Sequence, residues 1–321
     1  MFQPAEAANL PTTRRRLDLR DQQTPRTPPR ATFVSLVKPL EPVLTLHLFP
    51  EERAALLKLL GSLSNPRWDT PTVCPGWSVK DIASHLLADD LGRLARGRDG
   101  HAAASFAPSS PENIEAQLLE FINRQNETWV AAARRLSPRL LIDLLRWSGG
   151  ETQKYFESLD MFATGEAVSW AGPDPAPVWL DLAREYTERW LHQAQIRDAV
   201  SAPLLTQPRL LLPVLDTFVR ALPHTFRDVE RPHGTHVLLL ITRIGATGSP
   251  PLQWSVVREV TRWSLFDSAT FEPSTTVKMD ADTAWRLFTK GVSKAQALAR
   301  TTITGDASLG EKVLETVSII A

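Results

Sequence analysis

The chain has almost no cysteine, since Cys74 is the only one among 321 residues. It can therefore form neither an intrachain disulfide nor a zinc site made of cysteines alone, and a reducing, cytoplasmic location is expected. An excess of one charge is also missing, because 36 Lys and Arg residues balance 36 Asp and Glu residues. This balance argues against a general nucleic-acid or membrane-surface binder, whose affinity would depend on excess positive charge.

Long apolar runs are absent as well. None approaches the roughly 18 residues that a membrane-spanning helix needs, so no membrane partner is predicted. The sequence also lacks the Gly-x-Ser-x-Gly and His-Glu-x-x-His patterns of common hydrolases. With 43% hydrophobic and 22% charged residues, the chain can still bury a full core. Its length favours two domains.

The first 35 residues have a composition of their own. Six arginines lie among prolines and small polar residues in this segment, and we predict a disordered tail over residues 1–35. Arg14, Arg15 and Arg16 faintly resemble a twin-arginine export signal. However, Asp18 and Arg20 stand where such a signal needs an apolar stretch.

Residues 36–222 show helical periodicity. Long helices are predicted over Pro50–Leu63, from Ser78 onward, over Pro111–Leu136 and over Pro177–Val200. Ser78 is a good N-cap with Asp81 at the third helical position, although Asp is shorter than the Glu of the usual capping box. Several such helices joined by short loops predict a helical bundle.

Residues 223–321 change to a mixed pattern that predicts a smaller α+β domain. Val, Ile, Leu and Trp are concentrated in four predicted strands, which are His236–Ile244, Leu252–Val257, Val260–Phe266 and Thr275–Met279. Asp280 is expected to cap a short helix over Ala281–Thr289, and Gly245–Gly248 reads as a hairpin turn rather than a phosphate loop.

One polar helix stripe is the first candidate site. Glu188 and His192 are four residues apart and leave the same helix face, in a stripe that also holds Asp181, Glu185 and Gln195. Periodicity alone favours a solvated surface for this stripe. The alternative is an inner cleft, in which Glu188 and His192 would join His85 in a two-His, one-carboxylate metal site.

Three sequence motifs resemble the mycothiol-dependent maleylpyruvate isomerase family, within the DinB-like superfamily. The first is Cys-Pro-Gly-Trp-Ser-Val followed by Asp-Ile-Ala-Ser-His-Leu at residues 74–86, and the second is Glu-Arg-Trp-Leu-His at residues 188–192. The third runs from Asp280 through Thr304-Gly305-Asp306 to Ile320 and is similar to the family's C-terminal domain. The resemblance implies a DinB-like four-helix bundle followed by a sterol-carrier-like α+β domain.

The resemblance also implies a chemistry. His85, Glu188 and His192 match the family's ligands for a divalent metal, for which zinc is expected. The partners implied are a low-molecular-weight thiol such as mycothiol and a small electrophilic substrate, in an isomerase or transferase reaction. Arg286 and Arg300 are candidates for the family's C-terminal catalytic arginine, or Lys290 takes its place. The alternative function is a non-catalytic metal-binding or regulatory module.

Three further residues near these motifs carry expectations. Cys74 is expected to form the turn that sets up the Ser78 cap rather than to act as a nucleophile, because no basic partner is visible. Asp89 and Asp90 follow His85 by one helical turn and could orient it, but exposed helix carboxylates are the commoner case.

Overall fold

The computed structural model describes residues 36–101, 106–110, 112–244 and 250–319. A helical N-terminal domain is followed by a C-terminal domain that contains a sheet, which confirms the predicted fold class. The predicted tail over residues 1–35 and the predicted turn at Gly245–Gly248 lie outside the described residues. Within the described residues, no helix has both the length and the apolar character needed to cross a membrane.

The N-terminal domain is built from long helices that pack around apolar side chains. In chain order its helices are α1 (Phe49–Gly61), α2 (Asn65–Trp68), α3 (Val79–Arg93), α4 (Ile114–Ala133), α5 (Pro138–Glu157) and α6 (Val178–Ala199). Helix α3 packs against α4, α5 and α6, and α1 packs against α5 and α6. Leu56 of α1, Ile82 and Leu86 of α3, and Leu145 of α5 meet in one buried cluster. Helix α3 is therefore central, and its residues are positioned by contacts on several sides.

The start of α3 is fixed by its sequence. The backbone N–H of Trp77 donates to the Cys74 carbonyl at 3.1 Å, which closes the predicted turn, and Gly76 supplies the positive φ of 79° that this turn needs. Both bonds of the capping box form, since Ser78 N donates to Asp81 Oδ2 at 3.0 Å and Asp81 N donates to Ser78 Oγ at 3.3 Å. The short Asp81 side chain therefore completes the box, and the position of every later residue of α3 follows from this cap.

The C-terminal domain contains a six-stranded sheet in the order β1-β6-β5-β4-β7-β8. Its strands are β1 (Val37–Pro39), β4 (His236–Thr242), β5 (Leu252–Arg258), β6 (Trp263–Ala269), β7 (Thr275–Asp280) and β8 (Thr302–Gly305). Strands β2 (Thr164–Ala167) and β3 (Pro175–Pro177) form a separate hairpin before α6. All neighbours in the large sheet are antiparallel except β4 and β7.

Two elements of this sheet differ from the sequence prediction. Strand β6 begins at Trp263 rather than Val260, because Glu259 N donates to the Arg262 carbonyl at 2.8 Å and so closes a turn over residues 259–262. Strand β1 was not predicted. It comes from the segment before the helical domain and pairs with β6, so the sheet uses residues from both ends of the chain.

One apolar core joins the two domains. Helices α7 (Pro208–Phe218), α8 (Leu222–Thr225), α9 (Ala281–Phe288), α10 (Lys294–Leu298) and α11 (Ala307–Val313) complete the chain. The rings of Trp190 in α6 and Trp285 in α9 meet edge to face at 5.4 Å, and Tyr186 Oη donates to the Leu210 carbonyl at 3.0 Å. The aromatic side of α6 therefore faces the C-terminal domain. This contact fixes the rotation of α6 and turns its polar stripe the other way.

Candidate functional site

A cleft of about 690 Å3 lies between α3, α4, α6 and the end of α9. Its lining includes His85, Asp89, Glu188, His192, Gln195 and Lys290. The polar stripe of α6 is thus a wall of this cleft, with Glu185 only 7% exposed, and its interpretation as a solvated surface is wrong. All three residues predicted to bind a metal lie in this one cleft.

On α6, Glu188 and His192 face each other across one helical turn. The Nε2 atom of His192 lies 3.5 Å from Glu188 Oε2, and its Nδ1 atom lies 2.8 Å from Gln195 Oε1. Because an amide oxygen can only accept, His192 donates from Nδ1 and presents Nε2 to the carboxylate. Gln195 therefore sets the orientation of the imidazole.

On α3, His85 and Asp89 form a second pair of the same kind. The Nε2 atom of His85 lies 3.5 Å from Asp89 Oδ2. The His85 and His192 rings meet edge to face, with centroids 4.7 Å apart and planes at 83°. The Trp77 ring lies 5.2 Å from His85 on another side. Two histidine–carboxylate pairs from different helices thus meet in the cleft.

The electrostatic environment keeps these groups in different states. Burial, together with the nearby His192, lowers the pKa of His85 to about 3. Burial raises the pKa of Asp89 to about 7 against the opposing charge of His192. Burial would raise the pKa of Glu188, but the contact with His192 and the charge of Arg184 hold that pKa below its usual value. At neutral pH, His85 is therefore an uncharged imidazole, the form that binds metals.

The donor groups in the cleft suit a divalent metal, although they do not yet converge on one point. Within the described part of the chain, no three His, Cys, Asp or Glu side chains are arranged to hold an ion as they stand. The Nδ1 atom of His85 is buried and has no hydrogen-bond partner among the described residues. Two imidazoles and a carboxylate are nevertheless ligands that zinc favours. The donor set of the cleft therefore fits such an ion by its chemistry.

A network of buried charges lies beneath the cleft. Asp90 is fully buried, where it binds Arg53 at 2.8 Å, Arg189 at 2.9 Å and the Ser148 hydroxyl at 2.7 Å. Arg189 also binds Glu185 at 2.7 Å. The expectation that Asp90 is an exposed carboxylate is thus wrong, because two arginines from α1 and α6 compensate its charge in the core. Sequence reasoning gave no role to Arg53 or Arg189, because their shared partner Asp90 lies on another helix, α3.

Cys74 lies at the edge of the same cleft, but its thiol is not activated. Its Sγ donates to Gln195 Oε1 at 3.4 Å, and burial raises the pKa of the thiol. Both effects favour the protonated form, which is a poor nucleophile.

The candidate cations of the C-terminal domain occupy different positions. Arg286 binds Asp198 at 2.7 Å and Asp282 at 2.9 Å, and Arg300 binds Asp282 at 3.2 Å. Neither belongs to the described residues that line the cleft, whereas Lys290 does. Lys290 also has a positive φ of 58°, which is uncommon for a residue with a side chain.

Comparisons with known proteins show which family the helical domain resembles. Residues 49–197, which include all three predicted metal ligands, match the family model of the mycothiol maleylpyruvate isomerase N-terminal domain. A solved structure of the mycothiol-dependent maleylpyruvate isomerase is 12% identical, covers 75% of this chain and 86% of its own, and has a TM-score of 0.44. For a mutant of that enzyme the identity and coverage are the same and the TM-score is 0.42.

A sterol carrier protein 2 like 2 from Aedes aegypti is 18% identical, with a TM-score of 0.27. It covers 35% of this chain and 100% of its own. No match was found among the curated proteins.

Proposed function

We propose that this chain, whose residues 49–197 belong to the mycothiol maleylpyruvate isomerase N-terminal domain family, is a metal-dependent and thiol-dependent isomerase. The observation that carries the proposal is the meeting of His85, Glu188 and His192 in one cleft of about 690 Å3. A cavity of this size accommodates a small molecule beside a metal, whereas a purely structural metal site is normally closed.

In this proposal, His85, Glu188 and His192 hold a divalent ion, with zinc as the ion that their chemistry suits. Gln195 holds the His192 imidazole through Nδ1, so that Nε2 is directed at the site. A small thiol bound beside such an ion is a nucleophile at neutral pH, suited to adding to and leaving a conjugated double bond, which isomerises it.

The state of the single cysteine supports a reaction that uses an external thiol. Cys74 is the single cysteine, and its thiol is held protonated by burial and by donation to Gln195. It lies at the cleft edge next to the site rather than on a basic partner. We therefore assign Cys74 a role in the turn before α3 and assign the reacting sulfur to a low-molecular-weight thiol such as mycothiol.

The activity itself can be tested directly. Zinc-loaded protein is incubated in turn with mycothiol, bacillithiol and glutathione, with maleylpyruvate to detect isomerisation and an aryl halide to detect thiol transfer. We expect turnover of maleylpyruvate with one thiol, loss of turnover on chelation and recovery with zinc. Absence of turnover with every thiol, combined with a lower melting temperature after chelation, would instead support the non-catalytic metal-binding module.

Lys290 is the C-terminal cation that we assign to substrate binding, in preference to Arg286 and Arg300. It lines the cleft and forms no ion pair with another described residue, so its charge is available to an anionic group. Its left-handed backbone is destabilising, as expected where a side chain is retained for function.

Replacing Lys290 should separate activity from stability. We expect Lys290→Gly to raise KM by about 10-fold or more, as for loss of one charged contact. We also expect it to raise the free energy of unfolding by up to about 1 kcal/mol. Gly relieves a left-handed conformation that costs other residues roughly 1–2 kcal/mol, which outweighs its backbone-entropy cost of roughly 0.5–1 kcal/mol. Steady-state kinetics and urea unfolding measure the two effects. Lys294→Ala is the matched control, since Lys294 binds Glu311 and Glu315 away from the cleft. Equal KM values for the Lys290 variant and wild type would refute the assignment.

A further inference from the structure

The carboxylates around the cleft fall into two groups by their partners. Asp181 and Glu185 bind Arg93 and Arg184, and Asp90 binds Arg53 and Arg189. Asp89 and Glu188 are both half-buried and form no ion pair with a Lys or Arg of the described residues. Each contacts a histidine instead. Neither carboxylate is thus in direct contact with an arginine, although several arginines lie nearby.

The two histidine–carboxylate pairs also share a geometry. His85 and Asp89 on α3, and Glu188 and His192 on α6, are each spaced i,i+4, with the histidine first on α3 and last on α6. Both N···O separations are 3.5 Å, longer than a hydrogen bond. Two ligands bonded at about 2.1 Å to one tetrahedral zinc lie about 3.4 Å apart. In each pair, the nitrogen and oxygen atoms are therefore separated by about the distance expected between two ligands of one ion.

We propose that Asp89 is a further protein ligand of the metal, which makes the ligand set two histidines and two carboxylates. The inference rests on the proposed function, because it extends the site of His85, Glu188 and His192. Two carboxylates would neutralise a divalent ion, and Asp89 and Glu188 are cleft carboxylates that contact a histidine rather than a Lys or Arg of the described residues. An ion held by His85, Glu188, His192 and Asp89 would have four protein ligands, and zinc in a catalytic site can accept a fifth ligand, which would leave room for the thiol.

The proposal can be tested on the full chain with Co2+ and Zn2+ as probes. Asp89→Asn removes the charge with little change in shape, and Asp143→Asn is the matched control, since Asp143 is an exposed partner of Arg146 on α5. We expect Asp89→Asn to weaken binding of both ions by at least about 100-fold, beyond the range usual for residues that only orient a ligand. The visible absorption of the Co2+ form should also change in band position and intensity. The control should match wild type in both measurements.

The outcomes separate this inference from the function on which it rests. Unchanged Co2+ absorption with an affinity loss of about 10-fold would overturn the ligand assignment and leave Asp89 as a residue that orients His85. Wild-type metal affinity in Glu188→Gln and His192→Ala would instead overturn the metal site itself. Asp89→Ser gives a second measurement if Asp89→Asn does not fold, with the melting temperature of the metal-free proteins as the control for folding.

Discussion

The His192→Ala protein is expected to fold but to contain no stoichiometric zinc and to show no thiol-dependent turnover. His192 is one of only two histidines that line the described part of the cleft, and its Nε2 atom is the nitrogen presented to Glu188. Because its removal takes away a ligand rather than a supporting contact, zinc affinity should fall by more than the 10–100-fold typical of such contacts. Metal analysis after gel filtration measures zinc per chain, and the isomerase assay measures the accompanying loss of activity.

A second histidine serves as the control for this experiment. His47 lies on the exposed side of a short helical turn before α1, outside the cleft. The His47→Ala protein should keep full zinc content and activity, and circular dichroism should show the wild-type fold for both variants. Full zinc content in the His192→Ala protein would remove the basis of the proposed metal site.

Local sequence signals predicted the position of helix α3 well. Ser78 and Asp81 mark its first turn, and the capping box is observed with both of its bonds. This prediction succeeds because a capping box is formed by residues only three positions apart, so four consecutive residues are enough to identify it. The same locality explains why the Cys-Pro-Gly turn before the cap was predictable.

The surroundings of the polar stripe on α6 were not predictable from periodicity. A stripe of Asp, Glu, His and Gln reads as solvated because periodicity shows which residues share a helix face but not what packs against that face. Part of the compensation comes from Arg184 and Arg189 on α6 itself. The rest comes from Arg93 on α3, which is distant in sequence and binds Asp181 and Glu185. The distinction between a solvated face and a cleft wall therefore depends on tertiary contacts. Only the resemblance of short motifs to a family favoured the cleft.

Strand β1 shows a second limit of local patterns. Val37–Pro39 is three residues long, too short to display the alternation that identifies a strand. Its partner Ala269 lies more than two hundred residues later in the chain. Whether such a segment pairs is decided by the edge of β6 that it meets, so the boundary between the two parts of the chain cannot be read from composition alone.

Asp90 should be the carboxylate whose loss destabilises the helical domain most. It is 0% exposed and binds Arg53, Arg189 and Ser148 at the junction of α1, α3, α5 and α6. Asp90→Ala would leave two buried guanidinium groups short of a counter-ion, which typically costs about 3–5 kcal/mol. Asp143→Ala, which breaks an exposed pair with Arg146, should cost less than about 1 kcal/mol. Urea unfolding of the metal-free proteins compares the two free energies of unfolding.

The destabilisation caused by Asp90→Ala should also depend on pH. Burial acts to raise the pKa of Asp90, but Arg53 and Arg189 hold it below its usual value. Because the folded-state pKa is depressed, the stabilisation by Asp90 is complete above its unfolded pKa of about 3.9 and is lost as the pH falls through the folded pKa. The stability difference between wild type and Asp90→Ala should therefore be constant near neutral pH and shrink below about pH 4. A difference that persists undiminished in acid would show that lost packing, rather than the lost charge, destabilises the variant.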